Sequence, residues 1–434
     1  MPTPSVMEQI LFGGNGRKDD LSYEGVRVVD PTEGIDETLN LTVEAGVITK
    51  IEPGSGGDGR IMAPAFVDPH VHLRTPGRED EEDIASGTKA AAAGGYCAIL
   101  AMPNTEPAVD SASVLGALVE RAKDEAEIPV GFLAAISKGQ EGAELTEMVE
   151  LAERGAAGFT DDGRPVASPG LLRRALQYHS VTGRRIAVHC EETALSRGGH
   201  VHEGLVSAEL GFGGYPSVAE SVMVGRDLML AAYENQPIHL LHLSARESVD
   251  ELRSARSAGV QASGEVTPHH LCLTDEAVRS LDPNVKMNPP LRAEEDRQAL
   301  LEALKDGTIE AIATDHAPHA RHEKDVPFEE APFGVTGLET AFSVLYTRLV
   351  EPGTLSLAAL IDRMSAGPAR IYGLERPRIA VGAPANLVVL DLGRTWRVEE
   401  SGFRSRSPNS WLLGKTLKGK VVETVANGKL AYSV

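Results

Sequence analysis

Two histidines one residue apart, His70 and His72, close an apolar run that opens at Ala63. In an extended strand successive side chains leave opposite faces, so both imidazoles emerge on one side. Two neutral imidazoles at a strand end can grip one divalent cation. Arg74 follows, a fixed positive charge whose planar fork suits a carboxylate. Two histidines satisfied by ordinary hydrogen bonds would show the same spacing, so the reading depends on what the other apolar runs carry.

Four of those runs end in the same kind of residue: Phe159-Thr160-Asp161-Asp162, Val188-His189-Cys190-Glu191, Leu241-His242-Leu243-Ser244 and Ile312-Ala313-Thr314-Asp315-His316. With His70 and His72, the residues Asp161, Asp162, His189, His242 and Asp315 make a donor set drawn from five strand ends. Isolated core histidines would not gather at one end of every strand. The set exceeds the roughly four ligands of one catalytic zinc, so a second metal is implied. Two metals about 3.5–4 Å apart need a bridging carboxylate and a bridging water.

The elements that must position these residues repeat one unit. Apolar runs end at His70/His72, Asn104, Ile136, Asp162, Glu191, Ser244, His269 and His316. Helical patterns follow them near 84–94, 111–125, 144–154, 169–182, 217–235, 246–258, 294–306 and 338–350, two with Ser-x-x-Glu capping boxes at Ser217–Glu220 and Ser244–Glu247. Eight strand–helix units predict an α/β fold, a (β/α)8 TIM-type barrel over 63–378, with chemistry at the carboxyl ends of the strands. Residues 1–62 and 379–434 read instead as short strands with turn signals. They predict a small β-sandwich domain built from both termini.

Composition narrows the function classes. The 434 residues carry a net charge of −21, which argues against nucleic acid or an anionic membrane as partner. The longest apolar run, Ala90 to Pro103, holds two glycines and is too short to span a bilayer. No secretory signal is visible at the amino terminus, and three widely separated cysteines fit a reducing, cytoplasmic setting.

The stretch Val67 to Arg74, with Met102-Pro103-Asn104, Phe159 to Gly163, His189-Cys190-Glu191, Met287 to Arg292 and Thr314 to His319, resembles the bacterial dihydroorotases of the amidohydrolase superfamily. The resemblance covers nearly the whole chain. His-x-His marks only the superfamily; Asn-Pro-Pro-Leu-Arg and Asp-His-Ala-Pro-His are far more specific. Many relatives bridge their metals with a carboxylated lysine, but no lysine lies between Lys138 and Lys286 here. By resemblance to the branch lacking that lysine, the bridge is Asp162. The resemblance then implies His70, His72, Asp162 and Asp315 on one divalent metal, and Asp162, His189 and His242 on a second. Zinc suits these donors, and cobalt or manganese would also fit.

The same resemblance implies reversible cyclisation of N-carbamoyl-L-aspartate to dihydroorotate and water in pyrimidine biosynthesis. The resemblance implies that the metals would supply an activated water for attack on the ring carbonyl, with Asp315 as general acid/base. Arg74, Asn104 and His319 would hold the substrate carboxylate, with His72 beside them. Asn288 and the backbone at Phe333-Gly334 would hold the ring. Alternatives are a hydantoinase, dihydropyrimidinase or allantoinase, or an inactive scaffold for aspartate transcarbamoylase. The absent lysine and Arg74 count against the first two, and the complete donor set counts against the scaffold. A homodimer and association with that transcarbamoylase are the assemblies the resemblance suggests.

Other polar residues read more simply. The acidic run Glu79–Asp83 reads as a solvated helix start, His200 and His202 as a solvated loop, and His239 as packed towards the helices. His269, His270 and His316 read as supporting residues. The charged segment 321–332 reads as either a flap over the site or a surface loop.

Overall fold

A computed structural model describes residues 10–434, so the first nine residues of the amino-terminal β-rich segment lie outside the described residues. Eight parallel strands form the barrel: β1 Phe66–Val71, β2 Tyr96–Ala101, β3 Val130–Ala134, β4 Gly158–Phe159, β5 Arg185–Val188, β6 Ile238–Leu240, β7 Ala262–Val266 and β8 Ala311–Ile312. Each pairs with its neighbour in chain order. The ring closes just past the end of β8, where Val71 bridges His316 and His72 N–H donates to His316 O at 2.9 Å. Asp68 reinforces this seam, accepting Thr314 Oγ1–H at 2.5 Å and His70 N–H at 3.2 Å. β1, β2 and β3 are buried along their whole length, which is why they read as continuous apolar runs.

Helices stand close to where the periodicity puts them, for example Ile84–Ala93, Pro169–Thr182, Val218–Glu234, Arg246–Ser257 and Glu294–Asp306. The predicted 144–154 helix is confined to Met148–Glu153, and 338–350 becomes Ala341–Leu345 continued by a wider π turn, Tyr346–Val350. Neither predicted capping box forms. Ser217 makes no side-chain cap, and the helix after Ser244 starts from Ala245. The cap comes from another helix: the buried Glu220 carboxylate accepts Ser244 N–H at 3.1 Å and Ala245 N–H at 3.0 Å. Among the described residues no helix is long and apolar enough to cross a membrane.

Both termini contribute to one seven-stranded sheet, ordered Lys429–Ser433, Thr416–Ala426, Leu387–Arg397, Ile61–Pro64, Leu21–Asp30, Ile35–Glu44 and Val47–Pro53. Period-two alternation divides its faces. Val28, Leu41, Met62, Leu387 and Val389 form a separate apolar cluster, while Val29, Ile61, Ala63, Val388 and Leu390 join the barrel core. The single strand expected from Ala63 to the histidines is two strands. Ile61–Pro64 belongs to the terminal sheet and Phe66–Val71 to the barrel, with Ala65 N–H donating to Asn386 O at 3.0 Å between them. A run buried on all sides carries no mark of where it changes sheets.

Candidate active site

All the singled-out donors lie at or just beyond the carboxyl ends of barrel strands. His70 and His72 end β1, Asp162 follows β4, His189 follows β5, His242 follows β6 and Asp315 follows β8. Three residues here hold positive φ although they are not glycine: Arg74 at 55°, His242 at 31° and Asp315 at 48°. Such backbone is costly and persists only where its surroundings hold it.

Asp162 is the centre. Its Oδ2 lies 3.3 Å from His70 Nε2 and 3.6 Å from His72 Nε2, and its Oδ1 lies 3.3 Å from His242 Nε2 and 3.8 Å from His189 Nδ1. Asp315 Oδ1 approaches the first pair, 3.0 Å from His72 Nε2 and 3.4 Å from His70 Nε2. Two triads of converging donors result, His70/His72/Asp162 and Asp162/His189/His242, all buried. Asp161, counted in the donor set from sequence, turns away from the centre and accepts Ile136 N–H at 2.8 Å and Ser137 N–H at 3.0 Å.

Partners behind the rings choose which nitrogen faces inward. His70 Nδ1 meets Glu265 Oε1 at 2.7 Å, His72 Nδ1 meets Asn104 Oδ1 at 2.8 Å, and His189 Nε2 meets Glu191 Oε2 at 2.9 Å. His70 and His72 therefore present Nε2 inward and His189 presents Nδ1. Burial opposes charge on Asp162, yet the His70, His242 and His72 imidazoles hold its carboxyl well below the ordinary range. Burial likewise opposes charge on His70, and Asp162, Asp315 and Glu265 raise it well above the ordinary imidazole value. His70 Nε2 is buried without a hydrogen-bond partner although two carboxylates lie within 3.4 Å. An orphaned imidazole nitrogen between carboxylates, in a mixed His/Asp donor set, fits divalent metal.

The residues expected to hold substrate surround this centre. Arg74 donates from Nε to Pro318 O at 3.1 Å and lies 2.9 Å from Glu81 Oε2. Its Nη2 stands 3.4 Å from His319 Nε2, which meets Phe333 O at 2.8 Å. Asn288 Nδ2 donates to Glu191 Oε2 at 3.2 Å, leaving its buried Oδ1 without a partner. Gly334 N–H is engaged by Lys286 O at 2.9 Å. At a φ of 121° it also has no room for a side chain, since a Cβ would sit 2.7 Å from that of Ala317. A cavity of about 450 Å³ opens beside Asp162 and Asn104, with Gln140 and Arg164 on its wall.

At several residues the structure departs from the sequence expectation. Glu81 and Glu82, read as solvated, are fully buried. Glu81 pairs with Arg74 and Arg78, and Glu82 lies 3.2 Å from His316 Nε2. Glu81, His319 and Glu323 also cluster, but two guanidinium groups already face the two carboxylates, Arg78 against both and Arg74 against Glu81. Asp80 is exposed as expected, and Asp83 caps the helix through Ser86 N–H at 2.7 Å. His239 does not pack towards the helices; its Nε2 meets Glu265 Oε2 at 3.0 Å. His202, read as loop, joins a two-residue strand pairing with Gly214–Tyr215 and lies 3.3 Å from Arg292.

Glu265 was missed altogether. Fully buried on β7, it reaches across the barrel to His70 and His239 and accepts His242 N–H at 3.3 Å. A lone acid inside a short strand was the available signal. Glu265→Gln keeps the shape but removes the charge behind His70. Metal affinity measured by competition with a chelator is expected to fall about 10–100-fold; unchanged affinity would remove Glu265 from this role.

Comparison with known proteins places the constellation. Residues 59–248 match the family model described as dihydro-orotase-like. The chain is 44% identical over 421 residues to a protein named dihydroorotase from Geobacter metallireducens, covering 95% of this chain and 99% of that one. It is 41% identical over 415 residues to another from Acetivibrio thermocellus, covering 94% and 97%. The chain belongs to the dihydroorotase family. Solved structures share its fold: an L-hydantoinase from Arthrobacter aurescens at TM-score 0.85 and 24% identity, covering 95% of this chain and 96% of that one, and a dihydropyrimidinase from Brevibacillus agri at TM-score 0.81 and 22% identity, covering 96% and 95%. The expected barrel with a β unit drawn from both termini, and the expected dihydroorotase kinship, both hold. Within this family the chain is a metal-dependent cyclic amidohydrolase.

Proposed function

We propose that the chain interconverts N-carbamoyl-L-aspartate and dihydroorotate, using two divalent cations, zinc by the chemistry of the donors. The observation that carries this reading is Asp162, whose two oxygens face two different histidine pairs. His70, His72, Asp162 and Asp315 would hold one cation, and Asp162, His189 and His242 the other. Bound there, the pair would acidify a water and polarise the ring carbonyl.

The chain's own residues supply the rest. Asp315 Oδ1 faces His70 and His72, which leaves Oδ2 to take the proton of the attacking water and return it to the departing ring nitrogen. In the biosynthetic direction the same oxygen passes protons the other way as the ring closes and water leaves. Arg74, lodged against Glu81, offers its outer guanidinium nitrogens to the substrate carboxylate. Asn104 steadies His72 through Oδ1 and keeps its amide N–H groups for the same carboxylate. His319 joins them as a neutral ring, held down at about 3 by burial and by the nearby Arg74 and Lys324 charges, and its one N–H, on Nε2, would exchange Phe333 O for the substrate carboxylate. Asn288 Oδ1, buried and unpartnered, is placed to accept a ureide N–H. Phe333 and Gly334 wall the ring pocket beside His319. The free thiols of Cys97, Cys190 and Cys272 support a reducing, cytoplasmic setting.

Hydantoin, dihydrouracil and allantoin lack the carboxylate that Arg74 and His319 would bind, and leaving those groups unpaired is costly. Hydrolysis of dihydroorotate by the metal-loaded protein is therefore expected to exceed that of the other three by about 100-fold or more in kcat/KM. Comparable rates on hydantoin or allantoin would overturn the assignment, and metal content measured on the same sample separates an inactive protein from an unloaded one.

A further inference from the structure

The connection between two adjacent strands of the terminal sheet is far longer than its job requires. Leu387–Arg397 and Thr416–Ala426 are antiparallel neighbours, which a turn of about 2–5 residues would join. Residues 398–415 instead leave the sheet and reach the carboxyl end of the barrel. There Ser407 Oγ–H donates to Glu81 O at 2.7 Å and Arg406 N–H donates to Glu82 at 3.1 Å. Asn409 is buried there, 6% exposed. Its Oδ1 accepts His319 N–H at 3.0 Å, and its Nδ2 donates to Ala317 O at 3.2 Å and to Gly334 O at 3.3 Å. Its own carbonyl accepts Thr336 N–H at 3.0 Å.

We propose that Asn409 is a positioning residue for substrate binding: one carboxamide from the terminal-sheet connection fixes the spacing between the His319 loop and the Phe333-Gly334 loop. The inference rests on the dihydroorotase reading. The backbones of the two loops meet at a single bridge, His316 to Val335, where Ala317 N–H donates to Val335 O at 2.9 Å; the carboxamide carries the join outward from there to His319 and Gly334. The amide supplies an acceptor to one loop and donors to both, a combination neither a carboxylate nor a hydroxyl provides. None of its side-chain hydrogen bonds goes to a metal donor; the nearest, to Ala317 O, lies two residues beyond Asp315.

The test uses the metal-loaded full chain and its Asn409→Ala and Asn409→Asp variants, with metal content, kcat and KM measured in both directions. Asn409→Ala should keep its metal and its kcat within about threefold, while KM rises about tenfold or more. Asn409→Asp keeps the acceptor for His319 N–H, loses the donors and adds a negative charge. Its KM should rise more for N-carbamoyl-L-aspartate, a dianion, than for dihydroorotate, a monoanion, and the difference should shrink with added salt. Should the alanine variant fail to fold, the aspartate variant decides. Wild-type KM in the variants, a fall in kcat at unchanged KM, or loss of metal overturns the proposal. A wild-type chain that binds metal but does not turn over dihydroorotate sinks the functional reading instead, and this inference with it.

Discussion

Asp162→Ala is expected to cut the metal content of the chain from two ions to one or fewer and to lower turnover by about 10³-fold or more. The asymmetry follows from which donors survive. Without the carboxylate, the His189/His242 position keeps two imidazole nitrogens, too few for a divalent cation at a catalytic site. The His70/His72 position still has Asp315 Oδ1, 3.0 Å from His72 Nε2 and 3.4 Å from His70 Nε2, and so retains three donors. The remaining ion should bind more weakly, because the charge lost had been held ionised by three imidazoles. His242→Ala is the companion measurement: it touches only the second position and should leave one ion bound with ordinary affinity. Two ions per chain in Asp162→Ala would show that Asp162 bridges nothing.

How far the sequence could be read follows from where side-chain identity depends on periodicity. Eight apolar runs, seven of them ending in polar residues and one at Ile136, locate the eight strand ends, because a parallel barrel strand is buried on both faces and becomes polar where it leaves the core. His70, His72, Asp162, His189, His242 and Asp315 were legible for that reason, and the structure gathers all six. Alternation misplaced His239 because β6 stops at Leu240 and the chain turns through a positive φ at His242. The acidic run misled because charge count cannot distinguish a solvated carboxylate from one buried against an arginine or a histidine; Glu81 and Glu82 are of the second kind. Long-range partners were beyond reach for a similar reason. Glu265 meets a histidine 195 residues away and Asn409 a backbone amide 90 residues away, and neither leaves a local pattern.

Asp315→Asn separates the proton from the metal. The carboxamide keeps the shape of the side chain and a carbonyl oxygen to set near His70 and His72, and His70, His72 and Asp162 remain as donors for that position. Most of the bound metal should therefore persist. Turnover should fall about 10³–10⁴-fold in both directions, since an amide accepts no proton at neutral pH. The neighbouring histidines offer no substitute. His316 is turned away, its Nδ1 accepting Gly337 N–H at 3.2 Å while Nε2 faces Glu82 at 3.2 Å. His319 commits Nε2 to Phe333 O, and a ring held down at about 3 is a poor base at neutral pH. With both excluded, the outcomes are cleanly divided. Retained metal with lost turnover assigns the proton to Asp315; lost metal makes it chiefly a ligand; and wild-type rates with full metal would place the acid/base on a group outside this constellation.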